Sequence, residues 1–372
     1  MIVRNEGDHL RRCLESVTSM VDAIHITDTG SSDNTLEIAS GFGAEVRQFP
    51  WIDDFSAARN HSITNVEQDW ILVLDADDFF PEGEGKKIRE AISATDHTAL
   101  TVHYEIMPGH TPEPGLKLFR NHLGIRYEGL IHESIRNSLA AVPDATIGAT
   151  DTRLFHAGYE TENLPGKVAR NLPMLRKEYE RASQAGDRMQ RLSVGVDLAN
   201  SLIAAGDTAT GVAELKALLD DMITNGAPGD GRWELSALVY LLWFHFEQQQ
   251  FEVALALCEA SAGIFGGHPV FPLYRGMALL RANRFKDALK DFQQFEKEIA
   301  KGAPPLSVPV VYVGPELFNM AGQCCLSLNQ AAHAEDYFRK ALELEPGNPE
   351  FAVKLKLASL RSATPAEPSN NN

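Results

Sequence analysis

Hydrophobic positions recur at helical spacing at Leu10, Leu14, Val17 and Val21, after Asp8, a residue suited to an N-cap. Ile24 to Thr27 then reads as a short strand, and Asp28 to Thr35 as a polar loop. A second helix is expected to about Ser40, ended by Gly41 and Gly43, followed by a strand over Ala44 to Phe49 and a third helix over Phe55 to Val66. The run from Trp70 to Leu74 is apolar throughout, as in a strand buried on both faces of a parallel sheet. Strands alternating with helices over this stretch predict right-handed βαβ units and a parallel, doubly wound α/β sheet. Further strands are expected at Leu116 to Arg120 and Gly124 to Tyr127.

The Trp70 strand ends in Asp75-Ala76-Asp77-Asp78. Ligands of open α/β sheets sit beyond the carboxyl ends of strands, and side chains two residues apart on extended backbone point the same way. Asp75 and Asp77 are therefore expected to co-face and to suit Mg2+ or Mn2+, with a nucleotide diphosphate completing the shell. A solvated acidic turn is the plainer alternative. The loop Asp28 to Thr35 offers a carboxylate, a glycine and small hydroxyls at a helix start, suited to an anion or a ribose and equally to a capped turn. Arg59, early in the third helix, suits a diphosphate clamp or a surface pair with Asp53 or Asp54.

Taken together, Ile2 to Glu6, Asp28 to Thr35, Asp54 to Asn60 and Leu74 to Asp78 resemble the family-two glycosyltransferases of the nucleotide-diphospho-sugar (GT-A, Rossmann-like) fold, over roughly residues 1 to 160. The resemblance implies a donor site of Asn5, Glu6, Asp28, Arg59, Asn60, Asp75 and Ala76. It also implies a metal shell of Asp77 and Asp75, with Asp77 the more direct ligand and His156 in the position of a C-terminal histidine ligand. The general base is expected from Glu133 or its neighbour His132, at the start of a helix, where the family more often has an acidic pair. Single displacement with inversion follows, without a covalent enzyme intermediate. One departure is the opening Met1-Ile-Val, so that the first strand is either very short or begins upstream.

Beyond Gly158, Pro165 and Gly166 the pattern becomes helix after helix. Phe318, Ala321, Gly322, Cys325, Ala334, Phe338, Ala341 and Pro346 follow the small-and-large pattern of a tetratricopeptide repeat, and Gly276, Leu279, Ala288 and Phe292 repeat it one period earlier. Weaker copies lie around Leu242, Ala254 and Cys258, and around Ala199, Leu202, Gly211 and Leu215. Gly- and Pro-rich insertions at Asn225 to Arg232 and Gly302 to Pro315 account for the uneven intervals. The expected organisation is a catalytic domain at 1–160, a connecting helix or linker at 161–180, an all-α solenoid at 181–360 and a disordered tail at 361–372.

A net charge of −17 argues against a nucleic-acid surface, and no apolar run reaches the roughly 18 residues of a membrane span. No signal segment opens the chain, so a cytoplasmic location is expected. The four cysteines lack metal-ligand spacing and read as reduced core residues. The favoured function is metal-dependent, inverting transfer of a hexose from a nucleotide-diphospho-sugar, UDP-sugar first, with the repeats holding a peptide, a protein or a second copy. The arrangement resembles peptide S-glycosyltransferases that decorate glycocin precursors. The competing readings are a non-catalytic scaffold and a nucleotidyltransferase, the latter disfavoured because only Arg4 stands where a triphosphate loop would be basic.

Overall fold

A computed structural model describes residues 1–105, 112–157, 164–229, 232–302 and 314–363, which divide into two units between Asp187 and Arg188. In the first unit, β1 (Ile2–Val3), β2 (His25–Asp28) and β3 (Glu45–Gln48) form a parallel three-stranded sheet. Helices α1 (Leu10–Val17) and α2 (Thr35–Gly41) cross over between them. Leu10 and Leu14 of α1 pack with Val3, Ile26 and Ile38, because their spacing puts both on the face toward the sheet. Asp8 does not cap α1: His9 holds that position without a side-chain bond. Asp54 does cap α3 (Phe55–Ile63), its carboxylate accepting from the Ala57 N–H at 2.9 Å.

The remaining strands correct the expected parallel arrangement. β4 (Trp70–Leu72), β5 (Asp78–Phe79), β6 (Ala99–Glu105), β7 (Glu113–Arg120) and β8 (Ile147–His156) form a second sheet in the order β4-β7-β6-β8-β5. Only β6 and β8 run parallel there, and the Trp70 strand pairs antiparallel with β7. Its uninterrupted apolar character reflects burial on both faces, which such a position supplies as well as a parallel one does. Cys13, Val17, Leu100, Val102, Leu118 and Leu154 fill one face, and Ile63, Ile71, Ala99, Phe119 and Ile135 another. Residues 124–127 are irregular rather than a strand. α4 (Glu84–Ser93) and α5 (Arg136–Ala140) complete this part. The last element of the unit, α6 (Leu164–Ala185), occupies most of the stretch expected as a connection at 161–180 and extends past it.

The second unit pairs α7 (Arg188–Ala204) with α8 (Thr208–Asn225), α9 (Arg232–Glu247) with α10 (Phe251–Phe265), α11 (Phe271–Arg281) with α12 (Phe285–Ile299), and α13 (Pro315–Ser327) with α14 (Ala331–Leu344). Helix α15 (Pro349–Ala363) packs on the last pair. Small residues set the approach of each pair. A Cβ on Gly276 would lie 2.8 Å from the Phe292 ring, and one on Gly322 2.7 Å from the Phe338 ring. Phe292 and Phe338 are fully buried as a result. This unit resembles a tetratricopeptide solenoid. The tail expected from Arg361 is helical through Ala363, and residues 364–372 lie outside the described residues, as do 303–313 of the second insertion. All four cysteines are buried thiols. No helix among the described residues is long and apolar enough to cross a membrane.

Candidate functional site

The chain brings its acidic run to β8 by strand register. Antiparallel pairing of β5 with β8 sets Asp78 opposite His156, and the Ala157 N–H donates to the Asp77 carbonyl at 2.8 Å. The His156 Nδ1 lies 3.0 Å from an Asp78 carboxylate oxygen and 3.4 Å from one of Asp77. Ligand atoms of Asp77, Asp78 and His156 all fall within 4.8 Å of one another.

Asp78 is fully buried and is the hub of a network. Its carboxylate accepts from the Lys117 Nζ at 2.8 Å and the Tyr104 hydroxyl at 2.7 Å, and one oxygen accepts the Asp75 N–H at 3.0 Å. Burial alone would raise its pKa, but Lys117 and the hydrogen bond with His156 outweigh that and hold it below the usual range. The imidazole responds reciprocally. Burial works to lower the His156 pKa, while its bond to Asp78 and the nearby Asp77 raise it. Asp77 itself is raised, by burial first and by Asp75 and Asp78 in addition, against the pull of His156.

Asp75 points elsewhere. The strand ends at Leu72, so strand alternation does not set the directions of Asp75 and Asp77, although both line the same cleft. The Asp75 carboxylate accepts from the Arg59 Nη2 at 2.6 Å, and Lys117 lies 3.5 Å away. Burial is the largest influence and would raise its pKa, but Arg59 and Lys117 together hold it far below the carboxylate range. Arg59 also donates through Nε to Glu133, so one guanidinium joins Asp75 to the base candidate. Helix α3 is fastened to the loop carrying Glu133 at three further points. The Phe55 N–H donates to the Leu130 carbonyl, Ser56 Oγ to the Gly129 carbonyl, and Asn60 exchanges two bonds with the Tyr127 backbone. That loop closes through the Glu128–Ser134 bridge with exposed His132 at φ 54°, and α5 starts only at Arg136. The expected placement of His132-Glu133 at a helix start is thus corrected to a tight loop before it.

Asn5, Glu6, Arg59, Asp75, Ala76, Asp77 and His156 line one open cleft of about 490 Å³. Trp51 and Phe55 form an aromatic part of its wall, their rings 4.7 Å apart. Asn5 (φ 56°) accepts the Ser32 N–H at 2.7 Å, and Glu6 donates its N–H to Thr35, so the loop after β1 is tied to the loop after β2. Glu6 is raised to about 7, by burial first and then by Asp77 and Asp75. Four expected site residues stand outside the cleft wall. Asp28 is 1% exposed and spends its carboxylate on the Gly30 and Ser31 N–H groups. Asn60 serves Tyr127, and Glu133 reaches the cleft only through Arg59. His132 is the fourth.

Residues 1–141 match the family model described as Glycosyl transferase family 2. The N-terminal unit carries a family 2 glycosyltransferase domain. Among curated relatives, the chain is 40% identical over 171 residues to a TPR repeat-containing protein of Synechococcus elongatus, covering 44% of this chain and 42% of that one. It is 28% identical over 192 residues to the prophage-derived glycosyltransferase SunS of Bacillus subtilis, covering 48% and 45%. The chain therefore spans less than half the length of these relatives. A tetratricopeptide repeat protein from Parabacteroides merdae is a solved structure of low similarity, at 11% identity, a TM-score of 0.39, and 53% and 68% coverage.

The transferase domain's donor set fits a hard divalent cation. Asp77 offers a carboxylate beside an imidazole whose orientation Asp78 fixes, and Asp75 is committed to Arg59. Asp78, Lys117 and Tyr104 escaped the reading of the sequence. The available signals were a third carboxylate closing the acidic run and a lysine between Leu116 and Leu118 in an apolar strand.

Proposed function

We propose that this protein is a metal-dependent, inverting glycosyltransferase that moves a hexose from a nucleotide-diphospho-sugar, UDP-sugar first, to a peptide or protein acceptor. The observation that carries the reading is the convergence of Asp77, Arg59 and Asp75, within the family 2 match, and of His156, just beyond it, on one cleft. Asp77 and His156 would hold Mg2+ or Mn2+, which when bound would supply positive charge against the departing diphosphate. Asp78 keeps the His156 ring in place, and Arg59 keeps Asp75 and Glu133 in fixed relation. Glu133 takes the proton of the acceptor nucleophile, with His132 the alternative. No covalent enzyme nucleophile is needed, because the acceptor attacks the anomeric carbon directly, so an α-linked donor gives a β-linked product. The name of the SunS relative supports glycosyl transfer, and the solenoid-like unit supports a peptide or protein acceptor, because stacked repeats present an extended concave face.

Thermal denaturation with a panel of nucleotide sugars, with and without Mn2+, tests the donor and the metal together, since a specific binder stabilises the native state by mass action. A metal-dependent shift with one nucleotide sugar is expected. Equal shifts in chelator and in Mn2+ count against the metal, and donor binding without any turnover favours the scaffold reading. Asp77→Ala is expected to abolish transfer while the melting curve stays cooperative. An active variant sinks the assignment.

A further inference from the structure

Helix α6 lies wholly beyond the residues that match the family model, yet it belongs to the same structural unit and reaches the cleft. Lys167 and Arg170, three residues apart and so neighbours on one helix face, line the cleft together with Arg4 from the loop after β1. The helix is anchored further along, where Glu178 accepts the N–H of Leu130 in the Glu133 loop at 3.4 Å. The Arg170 guanidinium stands 5.2 Å from the Phe55 ring centre, and its Nε donates to the Asn171 side chain. Among the described residues, neither Arg4 nor Arg170 forms an ion pair with a carboxylate.

Arg4, Lys167 and Arg170 line one cleft, beside the ion-paired Arg59, in a chain of net charge −17. Arg4 is close enough to Arg170 to repel it: burial is the main influence lowering the Arg170 pKa, and Arg4 adds to it. Lys167 is near enough to Glu6 to pull that carboxyl down. Like charges held near one another invite an anion between them, and bidentate guanidinium geometry matches phosphate oxygens. Glu6, Asp8, Asp75 and Asp77 line the same cleft, and their carboxylates would repel an anion unless a cation lay between.

We propose that Arg4, Lys167 and Arg170 bind the diphosphate of the donor, so that the helix following the transferase domain completes its donor site. The proposal rests on the reading of the cleft as a nucleotide-diphospho-sugar site. It goes beyond that reading by assigning phosphate recognition to Lys167 and Arg170, which lie outside the family match, together with Arg4 inside it. The guanidinium and ammonium groups then hold the phosphates, a divalent cation at Asp77 and His156 would add to their charge, and the nucleoside contributes separately.

The test is calorimetric titration of the full chain, in Mg2+, with UDP, GDP and dTDP, with the matching monophosphates, and with inorganic pyrophosphate. The wild type is expected to prefer one diphosphate over its monophosphate. Lys167→Ala with Arg170→Ala should weaken the diphosphate roughly tenfold or more while changing the monophosphate far less, and Arg170→Lys should recover part of the loss. The salt dependence of diphosphate binding should flatten in the double variant. A double variant that binds the diphosphate as the wild type does overturns the proposal and leaves the donor reading intact. A wild type that binds pyrophosphate but no nucleotide, with pyrophosphate binding lost in the double variant, upholds the anion site and removes the donor reading. A wild type that binds neither removes both.

Discussion

Asp78 and Gly322 are both held by a close neighbour, but the neighbours come from very different distances along the chain. Gly322 packs on Phe338 and Gly276 on Phe292, each sixteen residues on, and the bidentate Arg275–Asp291 pair spans the same sixteen. In the transferase domain, Asp78 meets His156 across 78 residues and Arg59 meets Glu133 across 74. The solenoid-like unit is thus built from repeated local pairings, each of which can be lost with limited effect elsewhere. The site is built from long-range meetings that exist only once the sheet has closed, and its members share partners, so that a loss at one is felt at several.

The largest expected break is chemical. Glu133→Gln should lower transfer by roughly a hundredfold or more while donor binding persists, because the amide keeps the size but not the base. Measured rates near wild type would move the role to His132, where His132→Ala should then show the loss. Next comes the hub. Asp78→Ala takes the closest partner from both Lys117 and Tyr104, leaving Asp75 at 3.5 Å from the first and His156 at 3.2 Å from the second, and removal of one partner from a buried pair costs about 3–5 kcal/mol. Urea unfolding of the transferase domain measures this, and a change under 1 kcal/mol would mean that the network is not the unit described here.

A smaller effect is expected in the helical unit. Gly322→Val drives methyl groups into the Phe338 ring and should cost about 1–3 kcal/mol, as overpacking usually does. Donor binding should be unaffected, because the damage is local. If nucleotide affinity falls with it, the contrast between the two units fails. Last is a graded dependence on pH. A proton must leave His156, whose pKa is raised by Asp78 and Asp77 after opposition from burial, and Asp77 must be ionised, before either can ligate. Glu6, at about 7, adds negative charge to the cleft as it loses its proton. Cation affinity should therefore rise with pH across the range in which these groups lose their protons. Mn2+ titration followed by electron paramagnetic resonance from pH 5.5 to 8.5 reads this directly, and a flat profile would contradict it.

The sequence alone was enough for the class of both units. Alternation of helices and strands around Leu10, Ile26 and Ile38 identified an α/β domain, and Gly276, Phe292, Gly322 and Phe338 identified paired helices, because periodicity and residue size are local properties that a short window contains. It also named Asp77, His156, Arg59 and Glu6, which line the cleft together. Strand order was out of its reach. An apolar run such as Trp70 to Leu74 registers burial on two faces and is silent on the direction of its partners, and here β7 is antiparallel. The division of labour among the carboxylates also needed the tertiary structure. Asp75, Asp77 and Asp78 look equivalent in a linear reading, but Arg59, His156 and Lys117 arrive from α3, β8 and β7 and give each a different partner. A carboxylate's role is set by the charges within a few ångströms of it, and only the closed sheet decides which those are.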